Sequence, residues 1–299
     1  MRSRQWCLRA MATITLNDGT QIPSIAYGTG TALFGRDCAN AVRLAIDTGF
    51  THLDGAQAYG NEDSLGAGIQ AAGKPRSELY IVTKLKGGLG AAQVKPSLVK
   101  SLQQLGVDYV DLFLIHTPKP HPQDSTLLEL WKAVEAVHAE GLAKSIGVSN
   151  FTVDDLKAIL PGAKIIPSVN QIEVHPYVWK AAEPIVKYCR ENGNIAIASY
   201  GGLTPLNRVP GGPVDNVLPP IVQRLEEAFG KPVTANQALF KWTCQKAAIV
   251  VTTSSKEARI KEYLESVRVP DLTADEIQAI DDAGAKLHKR FFMKHVFGE

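Results

Sequence analysis

The chain lacks the marks of a membrane, secreted or nucleic-acid-binding protein. No apolar run in its 299 residues approaches the ~18 that a spanning helix needs. Cysteine is scarce: Cys7, Cys38, Cys189 and Cys244 form no CxxC pair, and none has a histidine at zinc-finger spacing. They read as reduced thiols in a reducing compartment, without a metal site or disulfide framework. Charge of one sign is missing too, since 32 Lys and Arg against 30 Asp and Glu leave +2. Such a balance gives no field for nucleic acid or an anionic membrane. Also missing are a GxGxxG turn, a GxxxxGK[ST] phosphate loop, a GxSxG elbow and an HExxH pair. The expected setting is the cytosol, with no membrane or nucleic-acid partner.

The front of the chain stands apart. Arg2, Arg4 and Arg9 precede the first acid, Asp18, without the apolar block of a secretory signal. Residues 1–11 read as a disordered extension: an upstream start with Met11 as the working one, or a short presequence. Residues 12–299 read as one domain.

What is present is a regular alternation. Ile14 to Tyr27 reads as a hairpin turning at Asn17-Asp18-Gly19, because glycine tolerates the positive φ of a tight turn. Eight short apolar runs follow one another: 24–28, 51–54, 79–84, 109–116, 143–149, 167–171, 194–200 and 248–253. Between them lie segments with helical apolar spacing at 38–49, 61–73, 94–106, 125–141, 152–162, 181–193 and within 219–246, several ending in glycine. A last helix is expected over 271–284. Eight strand–helix units predict a (β/α)8 barrel with an N-terminal hairpin and a C-terminal helix and tail. The stretch 204–220 reads as the longest irregular region, a loop over the barrel mouth.

In such barrels the site lies at the C-terminal ends of the strands. Asp54, Lys84 and His116 close three successive predicted strands, and Tyr59 follows Asp54 in its loop. An acid, a phenol, an ammonium and an imidazole converging on one mouth suit proton transfer. The lysine is expected to lower the phenol pKa, and the carboxylate to hold the lysine. Ser149 and Asn150, Asn170 and Gln171, Tyr200, and Thr252 to Ser255 end the later strands. His52 shares a strand side with Asp54, yet it reads as structural, as does His175 in its loop.

The segments LDGAQAYGNEDSLG, IVTKL, DYVDLFLIHTP, KSIGVSNF, VNQIEVHP and TTSSKEARIKEYL together resemble the aldo-keto reductase superfamily from about Ile14 to the C-terminus. The resemblance implies NADPH as cofactor and a small carbonyl compound as substrate. It implies that Asp54, Tyr59, Lys84 and His116 are the catalytic tetrad, with Tyr59 the proton donor. Gly30, Thr31, Asp54, Ser149, Asn150 and Gln171 would hold the nicotinamide half of the cofactor, with Tyr200 stacking on its ring. Thr253, Ser254, Ser255, Arg259 and Glu262 would hold the adenosine end, Arg259 taking the 2′-phosphate.

Three positions depart from the family pattern. Gly55 replaces the usual Ser or Thr, Thr253 the usual Lys, and Tyr263 the usual Asn. The loss of that lysine removes a positive charge near the 2′-phosphate. Loop position suggests Phe34, Tyr59, His116, Pro118 and Leu203, with Phe291 and Phe292 of the tail, as substrate contacts.

The motif VTTSSKEARIKE and the tail resemble the fungal reductases of conjugated polyketones, ketopantoyl lactone and α-keto amides. The substrate is therefore expected to be an α-dicarbonyl, an α-keto lactone, amide or ester, or an aldehyde. An aldose- or xylose-type reductase and a retired NADPH-binding sensor stay open as alternatives. A monomer is the expected state, with a dimer the alternative.

Overall fold

The computed structural model describes residues 13–119 and 125–299; residues 1–11, read above as an extension, lie outside them. In chain order come β1 (Thr13–Thr15), β2 (Gln21–Pro23), β3 (Ile25–Gly28), α1 (Ala39–Thr48), β4 (His52–Asp54), α2 (Glu62–Ala72), β5 (Tyr80–Leu85) and α3 (Val94–Leu105). There follow β6 (Val110–Ile115), α4 (Leu127–Ala139), β7 (Ala143–Ser149), α5 (Val153–Ile159), β8 (Val169–Glu173), α6 (Trp179–Glu191) and β9 (Ala196–Tyr200). The remainder is α7 (Thr204–Arg208), α8 (Leu218–Phe229), α9 (Ala235–Lys246), β10 (Ile249–Thr252), α10 (Glu257–Ser266), α11 (Ala274–Ala285) and α12 (Lys294–Phe297).

Strands β3 to β10 close into a parallel barrel, with β10 pairing both β9 and β3. The helices surround it, so the fold is the expected (β/α)8 barrel. Period-two alternation divides the core into two layers. On β6, Leu112 and Leu114 fill the barrel interior. Their neighbours Phe113 and Ile115 pack outward against the helices. The hairpin β1–β2 plugs the bottom: Leu16 and Ile22 join the interior cluster, and Ile22 is fully buried. Burying such a side chain contributes roughly 2 kcal/mol. With the lower end plugged, the barrel interior opens at the C-terminal mouth. Among the described residues no helix is long and apolar enough to cross a membrane.

Local chemistry sets the helix limits. Thr152 caps α5, its hydroxyl accepting from the Asp155 amide at 3.3 Å while Asp155 accepts from the Thr152 amide at 2.9 Å. Helices α2 and α3 stop at Gly73 and Gly106, both left-handed at φ 65° and 68°.

The structure shifts four expected boundaries. The hairpin ends at Pro23, and the residues after it form the first barrel strand. Strand β8 begins at Val169 and runs through Glu173, beyond the expected 167–171. Helix α6 starts at Trp179, because the 3-10 turn 176–178 leads straight into it. The stretch 204–220 contains helix α7. Cys38, Cys189 and Cys244 are free thiols, their pKa values raised by burial. Cys7 lies outside the described residues.

Candidate active site

A cavity of about 640 Å³ opens at the C-terminal ends of the strands. Its inner wall carries Asp54 at the end of β4, Tyr59 from the following 3-10 turn, and His116 just past β6. Lys84, fully buried near the end of β5, lies beneath them. Its ammonium spends all three N–H donors, on Asp54 Oδ1 at 2.5 Å, the Gly55 carbonyl at 2.8 Å and the Tyr59 hydroxyl at 3.3 Å. The second Asp54 oxygen accepts from Gln171 Nε2 at 2.7 Å. Gly30 lets Tyr59 lie close, since a Cβ there would come within 2.9 Å of its ring. The His116 ring stands edge-on to Tyr59 with centroids 5.4 Å apart.

Burial governs the titration of these groups. It pushes the Tyr59 phenol above its ordinary value; Lys84 pulls it down, and Asp54 pushes it up again. Lys84 does pull the phenol down, as expected, but desolvation outweighs the cation and the net direction is upward. Burial alone would lower Lys84, but the charges and hydrogen bonds of Asp54 and Tyr59 raise it. Burial, helped by Lys84, drives His116 down to about 3, so its imidazole is neutral near pH 7. Tyr59 thus keeps its proton beside a fixed cation, an arrangement suited to giving that proton to an oxygen that gains negative charge.

The next residues form one hydrogen-bonded set. Asn150 adopts a left-handed φ of 61°, which asparagine tolerates better than most residues. Its amide donates to the His116 carbonyl at 2.9 Å and to Ser149 Oγ at 3.1 Å. Its Oδ1 accepts from the Tyr200 hydroxyl at 2.6 Å, and Ser149 donates to the Gln171 carbonyl at 2.8 Å. These contacts, invisible in the sequence, join the ends of four strands, β6 to β9, into one wall. Asn170 lies behind it, donating to the Phe151 carbonyl at 3.0 Å.

Thr31, Phe34, Leu203, Phe292 and Thr253 also line the cavity. Pro118 is buried but does not line it, and neither does Phe291. Ser254, Ser255, Arg259 and Glu262 lie off its lining. Ser254 Oγ accepts from the Lys256 amide at 3.0 Å, and Glu262 accepts from Thr234 at 2.5 Å. The expected helix start near Ser255 falls at Glu257, two residues on. At Gly55, which stands where the resemblance leads one to expect Ser or Thr, a Cβ would meet Leu65 of α2 at 2.7 Å. The departure therefore falls on the core side. His52 bonds the Pro23 carbonyl at 2.9 Å, and burial lowers it to about 4. Buried His175 bonds Glu173 at 3.0 Å. Both histidines are structural.

Sequence reasoning missed the aromatic end of the cavity, where Phe240 and Tyr263 stack at 6.4 Å. It also missed Glu173. This fully buried acid ends β8, two residues after Gln171 and on the same strand side, which was the available signal. Its two oxygens accept from the Phe291 and Phe292 amides, each at 3.1 Å, and Arg290 Nη1 stands 3.7 Å away. The carboxylate thus pins the tail, which sets Phe292 edge-on to Tyr200 at 5.5 Å. In Glu173→Gln the NH2 would face one tail amide, donor to donor. Substrate KM should rise roughly tenfold, as befits the loss of a charge-assisted hydrogen bond of ~1.5–3 kcal/mol. Cofactor affinity should stay within twofold, and limited proteolysis should begin to cut the tail. An unchanged KM and an uncut tail would show that the clamp is idle.

A barrel mouth with a buried phenol–ammonium–carboxylate chain beside a neutral imidazole defines an oxidoreductase-type site, with no cluster of metal-ligating residues among the described residues. The family model "Aldo/keto reductase family" matches residues 25–285, and the chain belongs to that family. It is 40% identical to the NAD/NADP-dependent indole-3-acetaldehyde reductase of Schizosaccharomyces pombe over 288 residues, covering 93% of this chain and 97% of the relative. It is 32% identical to the NADPH-dependent alpha-keto amide reductase of Saccharomyces cerevisiae, covering 95% of each. Among solved structures, the aldo/keto reductase from Brucella melitensis superposes with a TM-score of 0.77 at 31% identity, covering 92% of this chain and 100% of that one.

Proposed function

We propose that this protein reduces the carbonyl group of an aldehyde or an activated ketone to an alcohol with NADPH. The observation that carries the reading is Lys84 bridging Asp54 and Tyr59 under the cavity floor. Bound NADPH would supply the hydride for the carbonyl carbon. Tyr59 gives its proton to the carbonyl oxygen, and Lys84, held by Asp54, stabilises the phenolate left behind. Neutral His116 orients that oxygen with a hydrogen bond. Hydride plus proton added across C=O balances the reaction.

The cavity suits an extended dinucleotide. It runs from Tyr59 to the Phe240–Tyr263 pair, and at its wall the buried Thr253 hydroxyl has no partner among the described residues. Gly30, Thr31, Asp54, Ser149, Asn150, Gln171 and Tyr200 would hold the nicotinamide half. Thr253, Ser254, Ser255, Arg259 and Glu262 would hold the adenosine half, with Arg259 selecting NADPH. Phe34, Leu203 and Phe292 would face the substrate, and Pro118 would act only through them. This apolar and aromatic wall favours a compact carbonyl bearing an aromatic or dicarbonyl body. The indole-3-acetaldehyde relative supports the aromatic aldehyde, and the α-keto amide relative the dicarbonyl. The reading keeps a monomer working in the cytosol.

The test is loss of nicotinamide absorbance with NADPH or NADH and a panel: indole-3-acetaldehyde, isatin, ketopantoyl lactone, an α-keto ester and xylose. Consumption of NADPH with the aromatic aldehyde or the dicarbonyls is the expected result. Activity on xylose alone would overturn the substrate class, and tight NADPH binding without turnover would favour a sensor.

A further inference from the structure

The Tyr59–Lys84 contact joins two separate pieces of chain, the 3-10 turn Gln57–Tyr59 and strand β5. Behind that joint, outside the cavity lining, lie the buried polar side chains of Glu62, Thr83 and Ser101. None of them takes part in the proton transfer described above. Glu62 opens α2, three residues after Tyr59, and is only 4% exposed. Its Oε1 accepts from Thr83 Oγ1 at 2.6 Å, and its Oε2 from Ser101 Oγ of α3 at 3.0 Å. Ser101 Oγ accepts in turn from Gln57 Nε2 at 3.1 Å, and Gln57 Oε1 accepts from the Lys86 amide at 2.9 Å.

These bonds close a ring around the joint. The ring holds the chain at Thr83 and Lys86, on either side of Lys84, and at Gln57 and Glu62, on either side of Tyr59. A buried carboxylate needs its donors, so the members hold as a unit. The joint itself has little slack. Lys84 reaches the phenol at 3.3 Å, the longest of its three bonds, and N–H···O bonds weaken beyond about 3.2 Å. A shift of a few tenths of an ångström between turn and strand would part the two groups.

We propose that Glu62 is a positioning residue: through Thr83, Ser101 and Gln57 it holds the Tyr59 turn against β5 and keeps the phenol within reach of the Lys84 ammonium. This role rests on Tyr59 being the proton donor. A Glu62 that merely fastened α2 and α3 to the barrel would affect stability alone.

Glu62→Ala breaks the ring at the carboxylate, and Gln57→Leu opens it at the turn. Glu62→Gln keeps it closed without the charge: its oxygen accepts from Thr83, its NH2 donates to Ser101, and Ser101 turns its proton to the Ser97 carbonyl, 3.2 Å away. Leu98→Ala, in the buried core face of α3 and outside the ring, is the stability control. Each variant is compared in kcat, KM, melting temperature and the ¹³C resonance of Tyr59 Cζ in tyrosine-labelled protein, assigned with Tyr59→Phe. Glu62→Ala and Gln57→Leu should lower kcat by roughly tenfold to a hundredfold with KM within about twofold, the scale of loss when a reacting group is misplaced. The Tyr59 resonance should move in both. Glu62→Gln should stay near wild type in kcat and resonance, and Leu98→Ala should melt earlier with both unchanged. If Glu62→Ala does not fold, Gln57→Leu carries the same two readouts. A wild-type kcat with an unmoved resonance in the broken-ring variants would overturn the proposal. So would a Glu62→Gln as impaired as Glu62→Ala, which would mean that charge acts and not the brace, or a Leu98→Ala that loses kcat equally. A wild-type protein that turned over no carbonyl would sink the reductase reading, and the Tyr59 resonance would still decide the brace.

Discussion

Tyr59→Phe should lose turnover by roughly a thousandfold, within the 10²–10⁴ range that a positioned acid supplies, while NADPH still binds within about twofold. The substitution is close to a pure deletion of one hydroxyl. The ring keeps its contact with His116 at 5.4 Å and with Phe34 at 6.2 Å, so the wall of the cavity stands. What goes is the hydroxyl 3.3 Å from Lys84. His116, held neutral, has no proton to spare in its place. The check is steady-state turnover beside a fluorescence titration with NADPH; activity within tenfold of wild type would sink the assigned donor. The direction of the phenol shift adds a pH signature. A pKa above the ordinary value means the proton is present throughout the neutral range, so the reduction rate should be flat there. It should decline only as alkaline pH strips Tyr59.

Lys84→Met should cost both activity and stability. Removing one partner of a buried ion pair destabilises by ~3–5 kcal/mol, because the other charge is left uncompensated. Here Asp54 would keep only the Gln171 hydrogen bond, at 2.7 Å. Chemical denaturation should show a midpoint shift of that size, and turnover should drop at least a hundredfold, the low end of what an acid with its electrostatic support contributes. Adding Asp54→Leu removes the stranded carboxylate and should recover much of the stability with none of the activity. A Lys84→Met protein as stable as wild type would mean that the pair is solvated, contrary to its burial. The pH dependence follows from the same pair. Lys84 has a folded pKa raised above its usual 10.5. Its contribution to stability is therefore fully present at neutral pH and fades as pH rises through that higher value.

Legibility differed by element. Strand 143–149 matched its expected limits, because Ala143 to Ser149 is bounded by a glycine-ended helix and a threonine cap. The helix at 181–193 was read late, since Pro176 hides a 3-10 turn that leads into it. The identities at the strand ends, Asp54, Lys84, His116 and Gln171, were legible because a barrel sends every such position to one mouth. The partners were not: Gln171 reaching Asp54 joins residues 117 apart in the chain, and no spacing rule links them. The net direction of the Tyr59 shift was not legible, for a related reason. A neighbouring cation is visible in sequence, but the depth of burial is not. Arg259 carries a recognisable motif, yet its place off the cavity lining depends on where α10 docks.

The Glu173 clamp has a consequence for inheritance. The proton-handling groups sit on the closed ring of strands, Asp54 and Lys84 within it and Tyr59 and His116 just past strand ends, where the ring holds them from both sides. Part of the opposing wall, Phe292 and Met293, belongs to the last dozen or so residues, fastened to that ring mainly through one carboxylate and two amides. Insertions, deletions or recombination at the end of the coding sequence can thus reshape what the enzyme admits and leave its chemistry alone.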